Sequence, residues 1–204
     1  MFLNKFFIFK NLFYLYDLDR LIKDDLCWWT YSIQKDLEDI LAKYNVKNIL
    51  EYGSGASTLY FTKKGYEITS IEYDQDWFFK IKEYLKDMVN SNLYFLPKDN
   101  IINDDYISKK NYNSYKNYVV FPTTLKKKYD LIIIDGRARE KCLEISLSLI
   151  SPKGIIIFDD TERYRYKKTI NNFLLKNNFK EKKFKGLAPG SIFKNRITSL
   201  IYKY

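Results

Sequence analysis

Three groups of residues in this chain have the types and spacing for chemistry. In the first, an apolar strand through Ile49 and Leu50 runs into Glu51-Tyr52-Gly53-Ser54-Gly55-Ala56-Ser57-Thr58, a glycine-rich turn and a helix start. The second is Glu72, nineteen residues beyond Gly53, at the tip of the next hydrophobic strand. Gly53 and Gly55 fall where the chain has to bend sharply and let backbone approach a ligand. A carboxylate ending the neighbouring strand can accept hydrogen bonds from both hydroxyls of a ribose. Glu51 stands just before the turn, where a carboxylate can meet a cationic group, and Asp99 follows the third strand, near the place of an adenine edge. This is the pattern of a site for an adenosine-containing cofactor, although two glycines can also make no more than a tight strand-to-helix turn. The third group is Asp135 with Asp159 and Asp160, at the tips of two later strands. Carboxylates gathered on one rim repel each other unless they share a cation or a proton. They are candidate ligands of a divalent cation, magnesium or manganese; the plainer alternative makes Asp159 or Asp160 a helix cap.

The elements that must carry these tips alternate strand and helix. Strands fit 48–52, 67–72, 92–96, 130–135 and 154–159, and helices fit 57–64, 75–88, 138–149 and 163–176. Leu131-Ile132-Ile133-Ile134 and Ile155-Ile156-Ile157-Phe158 are apolar on both faces, as central parallel strands must be. Two further strands, near 179–184 and 197–203, have no long helix between them and must pair antiparallel at one edge. Ahead of the first strand, 17–27 and 32–44 read as helices, the second capped by Ser32 with Ile33, Leu37, Ile40 and Leu41 on its apolar stripe. Between Pro97 and Lys128 the pattern weakens into a polar Asn-, Tyr- and Lys-rich stretch, read either as a substrate-contacting lid or as a surface excursion.

The kind of cofactor follows from what is missing. The third glycine of a dinucleotide fingerprint would fall at position 58, which is Thr58, and no Gly-Lys-Ser/Thr run exists for a nucleoside triphosphate. S-adenosylmethionine has a ribose and an adenine but no phosphate, and its sulfonium and amino groups suit carboxylates around a glycine turn. On Glu51-Tyr52-Gly53-Ser54-Gly55, Ser70-Ile71-Glu72 and Tyr129-Asp130-Leu131-Ile132-Ile133-Ile134-Asp135-Gly136, the chain resembles the class I S-adenosylmethionine-dependent methyltransferases over roughly residues 46–204. The resemblance implies a Rossmann-like α/β domain over 46–204: a mostly parallel seven-stranded sheet with an antiparallel C-terminal edge pair and helices on both faces. Residues 1–45 would be a helical lead-in packed on that core. It also implies that the Gly53/Gly55 turn holds the methionine moiety with help from Glu51, that Glu72 binds the ribose and that Asp99 lies beside the adenine. Tyr52, Ser54, Ser57, Thr58 and Asp135 complete that set.

Asp135 followed by Asp159-Asp160 looks like the metal-dependent O-methyltransferases of the catechol type, with Asp160 where that family has asparagine. Ala138 stands where that family has its catalytic lysine, flanked by Arg137 and Arg139 with Lys141 beyond. A closer likeness is to small methyltransferases of the glucuronoxylan 4-O-methyltransferase-like group. It rests on the Glu51–Thr58 segment, on Ile134-Asp135-Gly136-Arg137-Ala138-Arg139 with Cys142, and on Asp159-Asp160-Thr161-Glu162-Arg163-Tyr164 with Tyr166. These likenesses imply methyl transfer to an oxygen of a small-molecule or sugar acceptor. Asp135 or Asp160 would take the hydroxyl proton, and Arg137, Arg139 and Arg163 would meet an anionic substrate group. Trp28 and Trp29 can form either an acceptor-pocket wall or aromatic core.

Bulk composition bounds the rest. A length of 204 residues fits one domain with a sizeable core, and 46% hydrophobic residues argue against disorder. Histidine is absent, so no imidazole can act as base or metal ligand, and histidine-dependent hydrolases and zinc hydrolases drop out. Cys27 and Cys142 each sit in a helix-like apolar pattern and read as buried free thiols of a reducing, cytoplasmic compartment. The Met1–Phe9 stretch is interrupted by lysine and reads as a strand or amphipathic lead-in; no segment has the roughly 18 apolar residues of a membrane span. A net charge of +10 leaves a nucleic-acid methyltransferase as a rival, though no Asn/Asp-Pro-Pro-Tyr/Phe run is present, and lysine scattered by composition accounts for the charge as well. Two further rivals are a degenerate fold used as an adaptor and a nicotinamide oxidoreductase. The latter is weakened by Thr58.

Overall fold

The computed structural model describes residues 17–108, 111–191 and 194–203. The aromatic N-terminal stretch read as a strand or lead-in therefore lies outside the described residues. Seven strands, β1 (Asn48–Tyr52), β2 (Glu67–Glu72), β3 (Ser91–Phe95), β4 (Tyr129–Ile134), β5 (Ile150–Phe158), β6 (Lys180–Gly186) and β7 (Arg196–Tyr202), form one sheet in the order β3-β2-β1-β4-β5-β7-β6. The first five are parallel, and β7 runs antiparallel between β5 and β6. This is the mostly parallel seven-stranded sheet with an antiparallel C-terminal edge pair that the methyltransferase resemblance implied. Lysines at 180, 182, 183 and 185 make β6 a charged edge, which discourages pairing with another chain.

Alternation along the central strands builds two cores. Ile49, Leu131, Ile133, Ile155 and Ile157 face one layer, which holds Trp29, Ile33 and Leu37 at helix α2 (Tyr31–Lys43) and Phe61 of α3 (Ala56–Lys63); Leu18 and Leu21 of α1 (Leu18–Lys23) pack instead with Ala56 and Leu59 of α3. Leu50, Ile132, Ile134, Ile156 and Phe158 face the other. That layer includes Tyr118 and Val119 of α5 (Lys116–Thr124), Cys142 and Leu143 of α6 (Arg139–Leu149), and Ile170 of α7 (Tyr164–Asn177). Helix α4 (Gln75–Leu85) packs against β2 and β3. Burying each such aliphatic side chain is worth roughly 1.5–3 kcal/mol, so the tips of β1, β4 and β5 rest on the best-stabilised part of the molecule.

Helix α5 lies inside the 97–128 stretch, where the local pattern showed no element. It forms because Tyr118 and Val119 become fully buried and because Asp99, seventeen residues upstream of Lys116, accepts from the Lys116 and Asn117 N–H groups. Neither cause is local. Ser32 does not cap α2: Thr30 precedes the helix, and Ser32 Oγ donates to Thr30 Oγ1 at 3.2 Å.

Candidate functional site

The glycine turn sits at the sheet's switch point, between β1 and β4, where ligands of open parallel sheets bind. Gly53 has φ of +96°, and a Cβ there would lie 2.8 Å from the Gly136 Cα. The loops after β1 and β4 thus touch back to back, and only glycine permits it. Beneath the turn, Glu51 is wholly buried and accepts from Ser57 Oγ, from Thr58 Oγ1 at 2.5 Å and from Ser70 Oγ at 2.7 Å. Thr58 Oγ1 also accepts from the Gly55 N–H at 2.8 Å. The residue that replaces the third glycine therefore ties the turn to Glu51. Burial pushes the Glu51 carboxyl up to about 7 despite those three donors.

Glu72 lies beside the turn. Its carboxylate accepts from Ser54 N–H and Oγ, both at 3.0 Å, and from the N–H groups of Tyr73 and Asp74, both at 2.8 Å. Burial raises its pKa, and those same hydrogen bonds pull it back. Trp77 Nε1 donates to Ser54 O at 2.8 Å, and its ring stands 5.8 Å from that of Trp28. Turn, carboxylate and tryptophans form one end of an open cleft of about 770 Å³. Asp135, Asp159, Asp160, Arg137, Arg139 and Arg163 form the other end.

Not every expected residue reaches this cleft. Gly53, Ser54, Gly55, Ser57, Glu72 and Asp135 line it, whereas Glu51, Tyr52, Thr58 and Asp99 do not. Glu51 and Thr58 act from behind the turn. Tyr52 is fully buried, its hydroxyl donating to Val119 O at 2.9 Å. Asp99 is occupied at the start of α5, where it also accepts from Ser114 Oγ at 2.7 Å. The adjacent tryptophans divide: Trp28 lines the cleft and Trp29 is core. Sequence reasoning missed Tyr73, Trp77 and Arg196. Trp77 had a usable signal in the Asp74 cap three residues before it, which places it in the first turn of α4 beside β2. Arg196 had none, because only the antiparallel return of β7 brings it to β5.

Asp135, Asp159 and Asp160 do converge, each offering an oxygen within 4.8 Å of the others. Asp160 has φ of +62°, a left-handed turn that lets consecutive aspartates face one centre instead of alternating. Arg139 fills that centre and is only 8% exposed. Its Nη2 donates to Asp135 Oδ1 at 2.7 Å and Asp135 O at 3.0 Å, its Nη1 to Asp159 O at 2.7 Å, and its Nε to Gly136 O at 3.1 Å. Nη1 also lies 3.3 Å from Asp160 Oδ2, which Arg163 contacts too, and Arg196 Nη1 lies 3.0 Å from Asp160 Oδ1. Thr198 Oγ1 donates to Asp159 Oδ1 at 2.6 Å. Burial acts to lower the Arg139 pKa, but Asp135 and Asp160 outweigh it and the guanidinium stays charged. Burial raises Asp135, with Arg139 pulling the other way; it raises Asp159 further, with Asp135 and Asp160 adding to it.

Oxygen donors of this kind suit magnesium or manganese, but either ion would compete here with side-chain cations. Arg139 already pairs with Asp135 and Asp160, and Arg163 and Arg196 with Asp160, so a divalent cation would have to enter against three guanidinium groups. Asp135, Asp159 and Asp160 were expected to hold a magnesium or manganese ion; here Arg139 pairs with Asp135 and Asp160, and the Asp159 carboxylate accepts from Thr198.

No family model matches the chain, and no curated protein does. Solved structures do. A methyltransferase-like protein of Silicibacter pomeroyi is 22% identical with a TM-score of 0.54, over 82% of this chain and 84% of that one. The O-methyltransferase TomG of Streptomyces achromogenes, in complex with SAM, is 12% identical with a TM-score of 0.61, over 97% and 95%. A 16S rRNA methyltransferase of T. thermophilus, in complex with AdoMet and guanosine, is 13% identical with a TM-score of 0.55, over 84% of this chain and 42% of that one. The fold is that of the S-adenosylmethionine-dependent methyltransferases. Acceptors differ among these neighbours.

Proposed function

We propose that this chain is an S-adenosylmethionine-dependent methyltransferase acting on an oxygen of a small-molecule or sugar acceptor, in a reducing compartment such as the cytoplasm. One observation carries the reading: a single cleft has the Gly53–Gly55 turn and the Glu72 carboxylate at one end and a buried acid–base cluster at the other. At about 770 Å³ it is large enough for the cofactor together with part of an acceptor. S-adenosylmethionine, when bound, supplies an electrophilic methyl on a sulfonium.

The residues of this chain do the rest. Glu72 holds the ribose hydroxyls, and the turn presents backbone to the methionine end. Trp28 and Trp77 wall off water. Of the two aspartates proposed from sequence, Asp135 takes the role of proton acceptor. One of its oxygens is held by Arg139, and burial makes it more basic than an ordinary carboxylate. Asp160, in contact with Arg139, Arg163 and Arg196, is the electrostatic anchor. The chain's +10 charge, with an rRNA methyltransferase among the structural neighbours, favours RNA as the second reading. Steeply salt-dependent RNA binding would support it.

Calorimetric titration with S-adenosylhomocysteine tests the central claim, with Gly55→Val as control. Gly55 has extended backbone, and a Cβ there meets only Trp28, at 3.7 Å, so the variant should fold while filling the cleft. The expected result is binding by the wild type and at least a tenfold loss in the variant. A folded wild type giving no binding heat would refute the assignment and leave the adaptor reading.

A further inference from the structure

Beside the cleft, and sharing Gly136, Arg137, Arg139 and Arg163 with it, lies a smaller cavity of about 50 Å³. Arg165 joins the other three arginines on its wall, where Glu140 is the one carboxylate. Arg139 and Arg163 are committed to Asp135 and Asp160, but Arg137 and Arg165 have no carboxylate partner among the described residues. Both guanidinium groups are held in place: Arg137 lies 4.4 Å above the Tyr73 ring, and Arg165 lies 4.8 Å above the Tyr166 ring and donates to its hydroxyl at 2.9 Å. The Nε atom of each is buried without a hydrogen-bond partner. Donors fixed, buried and unused are prepared for an acceptor that arrives from outside.

The backbone points the same way. Helices α6 and α7, of 11 and 14 residues, both begin at this cavity, through Ala138–Glu140 and Arg163–Tyr166. Neither has a side-chain N-cap, so two positive dipole ends converge on one small space. A single water needs about 10–15 Å³ of such volume, so the space offers about three to five water-sized positions. That matches the three terminal oxygens of a phosphate monoester better than the two of a carboxylate.

We propose that this arginine-lined cavity is a subsite for a phosphate monoester carried by the methyl acceptor, whose hydroxyl would lie in the adjoining cleft. The acceptor part of the assignment rests on the methyl-transfer reading; the anion site itself does not. A phosphodiester offers two terminal oxygens where a monoester offers three, and so fills this small space less well.

Titration with methyl phosphate, dimethyl phosphate and acetate, followed by ³¹P and ¹H NMR, tests it. Methyl phosphate should bind at least tenfold more tightly than either of the others, and Arg165→Met should weaken it at least tenfold. Arg165 is partly buried in the first turn of α7 and makes no ion pair among the described residues, so the variant should keep its fold, which circular dichroism checks; Arg137→Met repeats the test at the second unpaired guanidinium. Equal binding of acetate or dimethyl phosphate, or unchanged binding in both variants, overturns the proposal. A parallel S-adenosylhomocysteine titration separates the two readings. Binding of S-adenosylhomocysteine without methyl phosphate overturns the subsite alone. Methyl phosphate binding without S-adenosylhomocysteine overturns the methyl-transfer reading and upholds a phosphate site.

Discussion

Replacing Glu51 by glutamine should flatten the pH dependence of stability. The wild-type carboxyl is wholly buried under the glycine turn, and burial holds its pKa at about 7, against 4.5 ordinarily. The folded state therefore keeps this proton to higher pH than the unfolded chain does. Wherever the folded state binds more protons, stability falls as pH rises. The contribution is fully present below about pH 4.5, is lost between 4.5 and 7, and is constant above that. At about 1.4 kcal/mol per pH unit, an interval of about 2.5 units corresponds to about 3 kcal/mol. Glutamine does not titrate, and the hydroxyls of Ser57, Thr58 and Ser70 can turn to accept from its amide where they now donate. Asp135 and Asp159, whose pKa values are also raised, contribute the same slope to both proteins and cancel in the difference. Urea unfolding at pH 4.5, 6, 7 and 8 should show the variant gaining about 3 kcal/mol on the wild type across the series, nearly all of it by pH 7. Two parallel curves would mean that Glu51 is ionised without penalty, and the account of the turn as resting on a buried, proton-holding carboxyl would fail.

Two other outcomes follow from the packing of the site. A Cβ at Gly136 would lie 2.0 Å from the Tyr118 hydroxyl and 3.0 Å from Tyr52 O. Gly136→Ala should therefore cost roughly 1–3 kcal/mol by chemical denaturation. Tyr118→Phe in that background should recover a large part by removing the closer contact; no recovery would place the strain elsewhere. Because Arg139 already pairs with Asp135 and Asp160, millimolar magnesium or EDTA should leave the thermal midpoint of the wild type unchanged. Arg139→Met should lose roughly 3–5 kcal/mol by stranding buried carboxylates. A clear upward shift with magnesium in the wild type would restore the metal site.

Strand tips were legible from sequence and the directions of their side chains were only partly so, for a physical reason. Central parallel strands declare themselves through unbroken apolar runs, and the glycine turn and Glu72 declare themselves by their places at strand ends. What a carboxylate does there depends on partners that arrive from elsewhere in the chain. Glu51 and Glu72 end neighbouring strands, yet Glu51 finds three hydroxyls behind the turn and Glu72 lines the cleft. Asp99 looked like a ligand contact because nothing in the polar stretch after it announced the helix that it caps. The aspartate trio shows the same limit most sharply. Converging carboxylates imply a cation, and sequence spacing cannot say whether that cation is a metal or a side chain. Arg139 was visible three residues after Gly136, but its burial was not, and Arg196 reaches Asp160 only because β7 returns antiparallel along β5. The site is therefore encoded twice: in local motifs that fix where the chain turns, and in the sheet order that decides which charges meet there.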